Sequence, residues 1–174
     1  MKVAIGTEIY RDGWTNVNLQ EKHPHDVIAD VRNLPFLENS VDLVYMSHVL
    51  EHFRYRIKGG VTDVLDELFR VTAPGGKVQI GVPDMPTMCR LYLATEGADR
   101  IHIMRVIMGG QIDATDEHLT CFDETLLASY LFHAGYRHVK RVTDFGHFKD
   151  DCTTLKINDI PISLNMEATK PCST

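Results

Sequence analysis

The densest group of chemically capable side chains is His48-Val49-Leu50-Glu51-His52. Imidazoles bind zinc and an adjacent carboxylate can take a proton from metal-bound water, so this H-x-x-E-H run fits the inverted zinc-peptidase signature. On a helix, residues four apart share a face, which would pair His48 with His52. A zinc hydrolase would need a third protein ligand, for which Glu67 or Asp66 is the candidate, and an open position for water. Three fixed positions in five residues recur by chance, and this run directly follows a strong strand. The reading adopted is therefore that the chain holds no metal and that His52 packs at the top of a helix.

Other residues carry weaker signals. His118 stands in a polar stretch, 109–119, where an imidazole suits a general base near neutral pH; His48 is the second candidate for that role. Asp84 follows a strand and suits the cap of the next helix. Met85, Met104 and Met108 read as core or pocket wall. Gly6 ends the apolar run Val3-Ala4-Ile5, where a residue without Cβ lets backbone approach a ligand. The glycine-rich dinucleotide fingerprint is absent, since Thr7 and Glu8 come next. The basic clusters at 54–58 and 137–141 read as solvated faces.

These side chains need elements to hold them. Short apolar runs at 2–6, 14–19 and 25–30 read as strands. Val41–Ser47, rich in β-branched and aromatic residues, is the strongest strand signal. A helix-like stretch covers 48–53. Residues 62–72 form an amphipathic helix with Val64, Leu65, Leu68, Phe69 and Val71 on one face, stopped by Ala73-Pro74-Gly75-Gly76. A strand at 77–82, helices after Pro83, at 100–108 and at 123–134, a strand at 139–143 and a last strand at 155–158 or 162–166 complete the pattern. Strands alternating with helices predict an α/β fold: a three-layer Rossmann-like arrangement with a mostly parallel central sheet, and an antiparallel addition near the C-terminus.

Composition bounds the function. The chain has 174 residues, room for a single domain over 1–174. Eighteen basic against 24 acidic residues give a net charge of −6, which disfavours nucleic acid and anionic membrane as partners. Four cysteines without a C-x-x-C pair read as reduced thiols. The N-terminal apolar run is too short for a signal peptide, and no stretch has the length of a membrane span, so the expected location is the cytoplasm.

Three blocks in order are similar to the class I methyltransferases: Asp30-Val31-Arg32-Asn33-Leu34-Pro35-Phe36, then Ser47-His48-Val49-Leu50-Glu51-His52 after a strand, then Glu67 through Pro74-Gly75-Gly76. The resemblance is to a family of short predicted methyltransferases. It continues through Val82-Pro83-Asp84, Met108-Gly109-Gly110-Gln111, His118, Phe122-Asp123 and Ala134-Gly135-Tyr136. It implies S-adenosylmethionine as cofactor, lying over the carboxyl ends of the first four strands. On that resemblance Gly6 faces the methionine part and Asn18 the ribose. Asp30 lies near the adenine amino group with Val31 beside the ring, and Ser47 and His48 stand beside the sulfonium. Two positions depart from the family pattern: Glu8 stands where a second glycine is usual, and Asn18 where an acid is usual. An aspartate at position 18 is expected to tighten cofactor binding.

The expected activity is methyl transfer to a small-molecule or sugar-like acceptor, with His118 or His48 as base. The rival is a methyltransferase-like binding module without turnover. A short chain leaves little room for a substrate lid, so a homodimer is expected to complete the site.

Overall fold

The structure, a computed structural model, describes residues 1–172. Its centre is a seven-stranded sheet. The strands are β1 (Lys2–Ile5), β2 (Thr15–Asn18), β3 (Val27–Ile28), β4 (Val41–Ser47), β5 (Thr72–Pro83), β6 (Arg137–Val142) and β9 (Ser163–Thr169). Their order is β3-β2-β1-β4-β5-β9-β6. β1 to β5 are mutually parallel, and β9 runs antiparallel between β5 and β6. A separate hairpin joins β7 (Lys156–Ile157) to β8 (Ile160–Pro161). The predicted mostly parallel sheet with a late antiparallel strand is present; of the two alternatives for the last strand, the sheet takes the second, extended to Thr169.

Alternation within the strands separates two apolar layers, because successive side chains point to opposite faces. Val3 and Ile5 of β1 and Val44 and Met46 of β4 enter the main core, while Ala4 and Tyr45 between them enter a second cluster. The main core is covered by α1 (Val61–Val71) and α4 (Glu124–His133). α1 contributes Val61, Val64, Leu65, Leu68 and Val71 at helical spacing, and α4 contributes Leu127 and Leu131. The second cluster is aromatic: Trp14, Tyr45, Phe145 and Phe148 meet at ring separations of 4.8 to 6.2 Å. α2 (Met85–Ala94) and α3 (Arg100–Met108) form a smaller core with the hairpin region through Met88, Leu91, Ile103 and Ile162. Met104 and Met108 are exposed rather than core, since α3 turns only Ile103 fully inward.

As in the sequence pattern, no helix precedes the end of β4. Residues 6–14, 19–26 and 29–40, the connections among β1, β2, β3 and β4, contain no helix, and α1 to α4 all follow β4. Parallel strands usually cross over through a helix. Here these three crossovers are loops, and the irregular chain carrying Phe145 and Phe148 helps cover the aromatic face. The stretch 48–53 is a single 3-10 turn, Leu50–His52, not an α-helix.

One network explains the spacing of two sequence blocks. Glu67 on α1 accepts the Leu34 amide at 2.7 Å and pairs with Arg70, whose guanidinium donates to the carbonyls of Leu34 and Phe36. The Leu34-Pro35-Phe36 turn is thereby clamped to the helix. Glu67 is fully engaged there, which removes it as the third zinc ligand.

Candidate functional site

The strand order reverses between β1 and β4, and in open α/β sheets ligands bind beyond the carboxyl ends of strands at such a point. Two left-handed residues shape it. Gly6 has φ +77° and His48 φ +49°. A Cβ on Gly6 would lie 2.1 Å from Val49 Cγ2 and 2.8 Å from the Ser47 carbonyl. Glycine is required there by the turn after β4 as much as by any ligand. His48 is held in its unusual conformation by its amide, which donates to Gly81 O at 2.9 Å, and by its Nε2, 2.8 Å from Ser163 Oγ.

That turn places an acid among three imidazoles. Glu51 is 1% exposed. Its Oε1 lies 3.2 Å from His48 Nδ1 and 3.9 Å from His118 Nε2. His118 arrives from the loop after α3, which is pinned by the amides of Leu119 and Thr120 donating to Glu51 O. The rings of His118 and His52 meet edge to face at 4.8 Å. Burial pushes the His118 imidazole below its ordinary value, more strongly than the Glu51 charge raises it. Burial would raise the Glu51 carboxyl, but the charges of His48 and His118 outweigh it and hold it low. The cluster can therefore present a neutral imidazole beside a carboxylate, the arrangement of a general base with a group to stabilise its protonated form.

A second set of groups lines the tips of β1, β2 and β3. Asn18 Nδ2 donates to Thr7 O at 3.2 Å and to Asp26 Oδ2 at 2.9 Å. Asp26 Oδ2 also accepts the amides of Lys22 and His23, each at 2.9 Å. Asp26 Oδ1 is buried with no hydrogen-bond partner. Tyr10 stacks on His23 at 4.8 Å, and Lys22 pairs with Glu8 at 3.1 Å.

The remaining residues singled out in the sequence are more committed to the protein. Asp30 is chelated by Arg32, which also covers the face of Phe53. Val31 is buried in the main core. Ser47 donates its hydroxyl to buried Asp151. Asp84 stands at the start of α2, but its carboxylate accepts from Thr87 Oγ1 and Arg141 rather than from a helix amide, each at 2.8 Å. The structure thus gathers His48, Glu51, His52 and His118 in one cluster, and sets Asp26, just before β3, against Asn18 at the carboxyl end of β2, with Gly6 at that of β1. Asp26 had no signal in the sequence: eight residues beyond Asn18 in an irregular loop, it fits no period.

Residues 4–80 match the family model described as a methyltransferase domain. That match covers less than half of the chain, and the fold of the whole is that of the class I methyltransferases. The matched segment runs from β1 into β5 and so spans the strand tips and the turn after β4. Solved structures are similar to this chain across nearly its whole length. A SAM-dependent methyltransferase from Archaeoglobus fulgidus is 15% identical with a TM-score of 0.60, over 97% of this chain and 85% of that one. A chain of the complex between the Haloferax volcanii Trm112 methyltransferase activator and a methyltransferase is 14% identical with a TM-score of 0.59, over 98% and 82%. Among curated proteins, the biotin biosynthesis bifunctional protein BioHC of Cellvibrio japonicus is 30% identical over 92 residues, 51% of this chain. The alignment spans only 17% of that relative's length. No helix among the described residues is long and apolar enough to cross a membrane.

Proposed function

We propose that this chain transfers a methyl group from S-adenosylmethionine to a small-molecule acceptor. The observation that carries the reading is the Asn18–Asp26 pair beside Gly6 at the strand switch. An acid is missing from position 18, but Asp26 brings a carboxylate to the Asn18 side chain and leaves one oxygen buried without a partner. A ribose hydroxyl is a donor suited to that oxygen. On this reading Gly6, Asn18 and Asp26 hold the cofactor, while Ser47, Asp30 and Val31 shape its surroundings through Asp151, Arg32 and the core.

When bound, S-adenosylmethionine supplies a methyl group activated by its sulfonium charge. What remains for the protein is to align the acceptor and exclude water. An acceptor hydroxyl or amine would lose its proton to His118, which burial keeps neutral, with Glu51 stabilising the resulting imidazolium. His48 is tied to Ser163 and Glu51 and acts as a positioning residue. A small-molecule acceptor is in keeping with the biosynthetic role named for the Cellvibrio relative. A homodimer belongs to the proposal, and the exposed Leu93, Ile101 and Met104 of α2 and α3 support it; size-exclusion chromatography with light scattering decides it.

Calorimetric titration with S-adenosylhomocysteine tests the reading. Micromolar binding, weakened in Asp26→Asn, is the expected result. No binding of either S-adenosylhomocysteine or S-adenosylmethionine would overturn it. Binding without turnover on any acceptor would favour a binding module, a reading supported by the engagement of Asp30 with Arg32.

A further inference from the structure

We infer that Glu51, His52 and His118 form a binding site for a divalent first-row transition-metal ion. One donor atom from each of the three lies within 4.8 Å of the others. The set is two imidazoles and one carboxylate, a ligand combination that suits zinc and its neighbours and leaves positions open.

Two independent features of the cluster point to a cation. First, both Glu51 oxygens are buried and neither has an aligned hydrogen-bond partner, although His48 Nδ1 comes within 3.2 Å of one. A buried carboxylate without hydrogen bonds is costly, and a cation removes that cost. Second, His52 Nδ1 lies 3.0 Å from Glu117 O. A carbonyl only accepts, so Nδ1 is the protonated nitrogen and Nε2 carries the free lone pair. A ligating imidazole is commonly oriented by this kind of outer hydrogen bond.

The geometry needs only side-chain movement. Donors about 2.0–2.1 Å from a tetrahedral zinc are about 3.4 Å apart. The Glu51–His118 separation is 3.9 Å, close to that spacing. His118 also lines a cavity of about 10 Å³ with Pro83, Met88 and Thr120, about the room that one water needs. The ligands differ from those suggested by H-x-x-E-H alone. His48 has its Nε2 on Ser163 and its Nδ1 against Glu51, and the third ligand comes from residue 118.

The cluster follows β4, so the open positions would face an acceptor; this part rests on the methyl-transfer reading. With a cation bound, His118 is a ligand, and the cation takes over the acidification of an acceptor hydroxyl.

The test uses the full chain, freed of metal by chelation and titrated with zinc chloride without cofactor. Cobalt(II) substitution reports the ligand set through its visible absorption. The expected result is one site per chain, with visible cobalt bands and no thiolate charge-transfer absorption. Glu51→Gln, His52→Gln and His118→Gln should each weaken zinc binding about tenfold or more, with His133→Gln unchanged. Absence of wild-type binding, thiolate absorption, or binding indifferent to all three substitutions would overturn the inference. Because cofactor is absent from the titration, neither result bears on S-adenosylhomocysteine binding.

Discussion

Asn18, the last residue of β2, donates its side-chain amide to Asp26, just before β3, across 2.9 Å. This contact reverses the expectation for an aspartate at position 18. Asn18→Asp would remove a donor and set two carboxylates against each other, so cofactor binding is expected to weaken rather than tighten. Asp26→Asn removes the charge that strengthens a ribose hydrogen bond and is expected to weaken S-adenosylhomocysteine binding by roughly 10- to 100-fold, from about 1.5–3 kcal/mol. Calorimetry on the two variants checks both. A tighter Asn18→Asp complex would show that Asp26 is not the acid of the site.

Asp151 ties the irregular layer to the sheet. Its Oδ1 accepts from Tyr45 Oη at 2.7 Å, from the Thr153 amide at 3.1 Å and from Ser47 Oγ. Asp151→Ala would leave two buried hydroxyls without their acceptor and is expected to cost about 2–4 kcal/mol. Asp151→Asn, which keeps an acceptor oxygen, should cost less. Urea unfolding monitored by Trp14 fluorescence measures both, and equal losses in the two variants would count against the network.

Gly6→Ala meets two obstacles. The residue has φ +77°, and the new methyl would fall within 2.1 Å of Val49 Cγ2. The left-handed backbone and the overpacking together predict a loss of about 2–4 kcal/mol. Adding Val49→Ala removes the side-chain part of the clash and should recover some of that loss. A double mutant no more stable than Gly6→Ala would place the whole cost in the backbone.

Stability should fall in mild acid through His147. Burial lowers its pKa from the ordinary 6.5, and the charges of Arg11 and Lys2 act in the same direction. A lowered imidazole pKa means that the unfolded chain binds more protons between the folded value and 6.5. The stabilisation is complete above 6.5 and is lost as the pH falls through the folded value. Melting temperatures measured from pH 8 to pH 5 should decline below 6.5, and His147→Gln should decline less. An equal decline would assign the effect to other groups.

Much of the architecture was legible in the sequence because burial writes local periods. Val3-Ala4-Ile5 and Val44-Tyr45-Met46 alternate between faces, and Val61, Val64, Leu65, Leu68 and Val71 recur at helical spacing, so strands and helix follow from short windows. The ordered Leu34-Pro35-Phe36, Ser47-His48 and Pro74-Gly75-Gly76 blocks likewise led to the methyltransferase fold. The helix-free connections among β1, β2, β3 and β4 were legible too, whereas the turn at 48–53 read as helix because so short a run does not distinguish one turn from several.

The site itself lay largely outside what the sequence could determine. His48, Glu51 and His52 are neighbours in the chain, but their local turn, with His48 at φ +49°, ties His48 to both Ser163 and Glu51 and lets Glu51 meet His118. Asp26 reaches Asn18 because β3 is only two residues long, so the amino end of β3 lies within side-chain reach of the carboxyl end of β2. Asp151 reaches Tyr45 and Ser47 across more than 100 residues. Composition and periodicity determine which residues leave water, because burial of an apolar face is a local demand. Which polar groups meet depends on strand order and loop closure, and these emerge only when the whole chain packs.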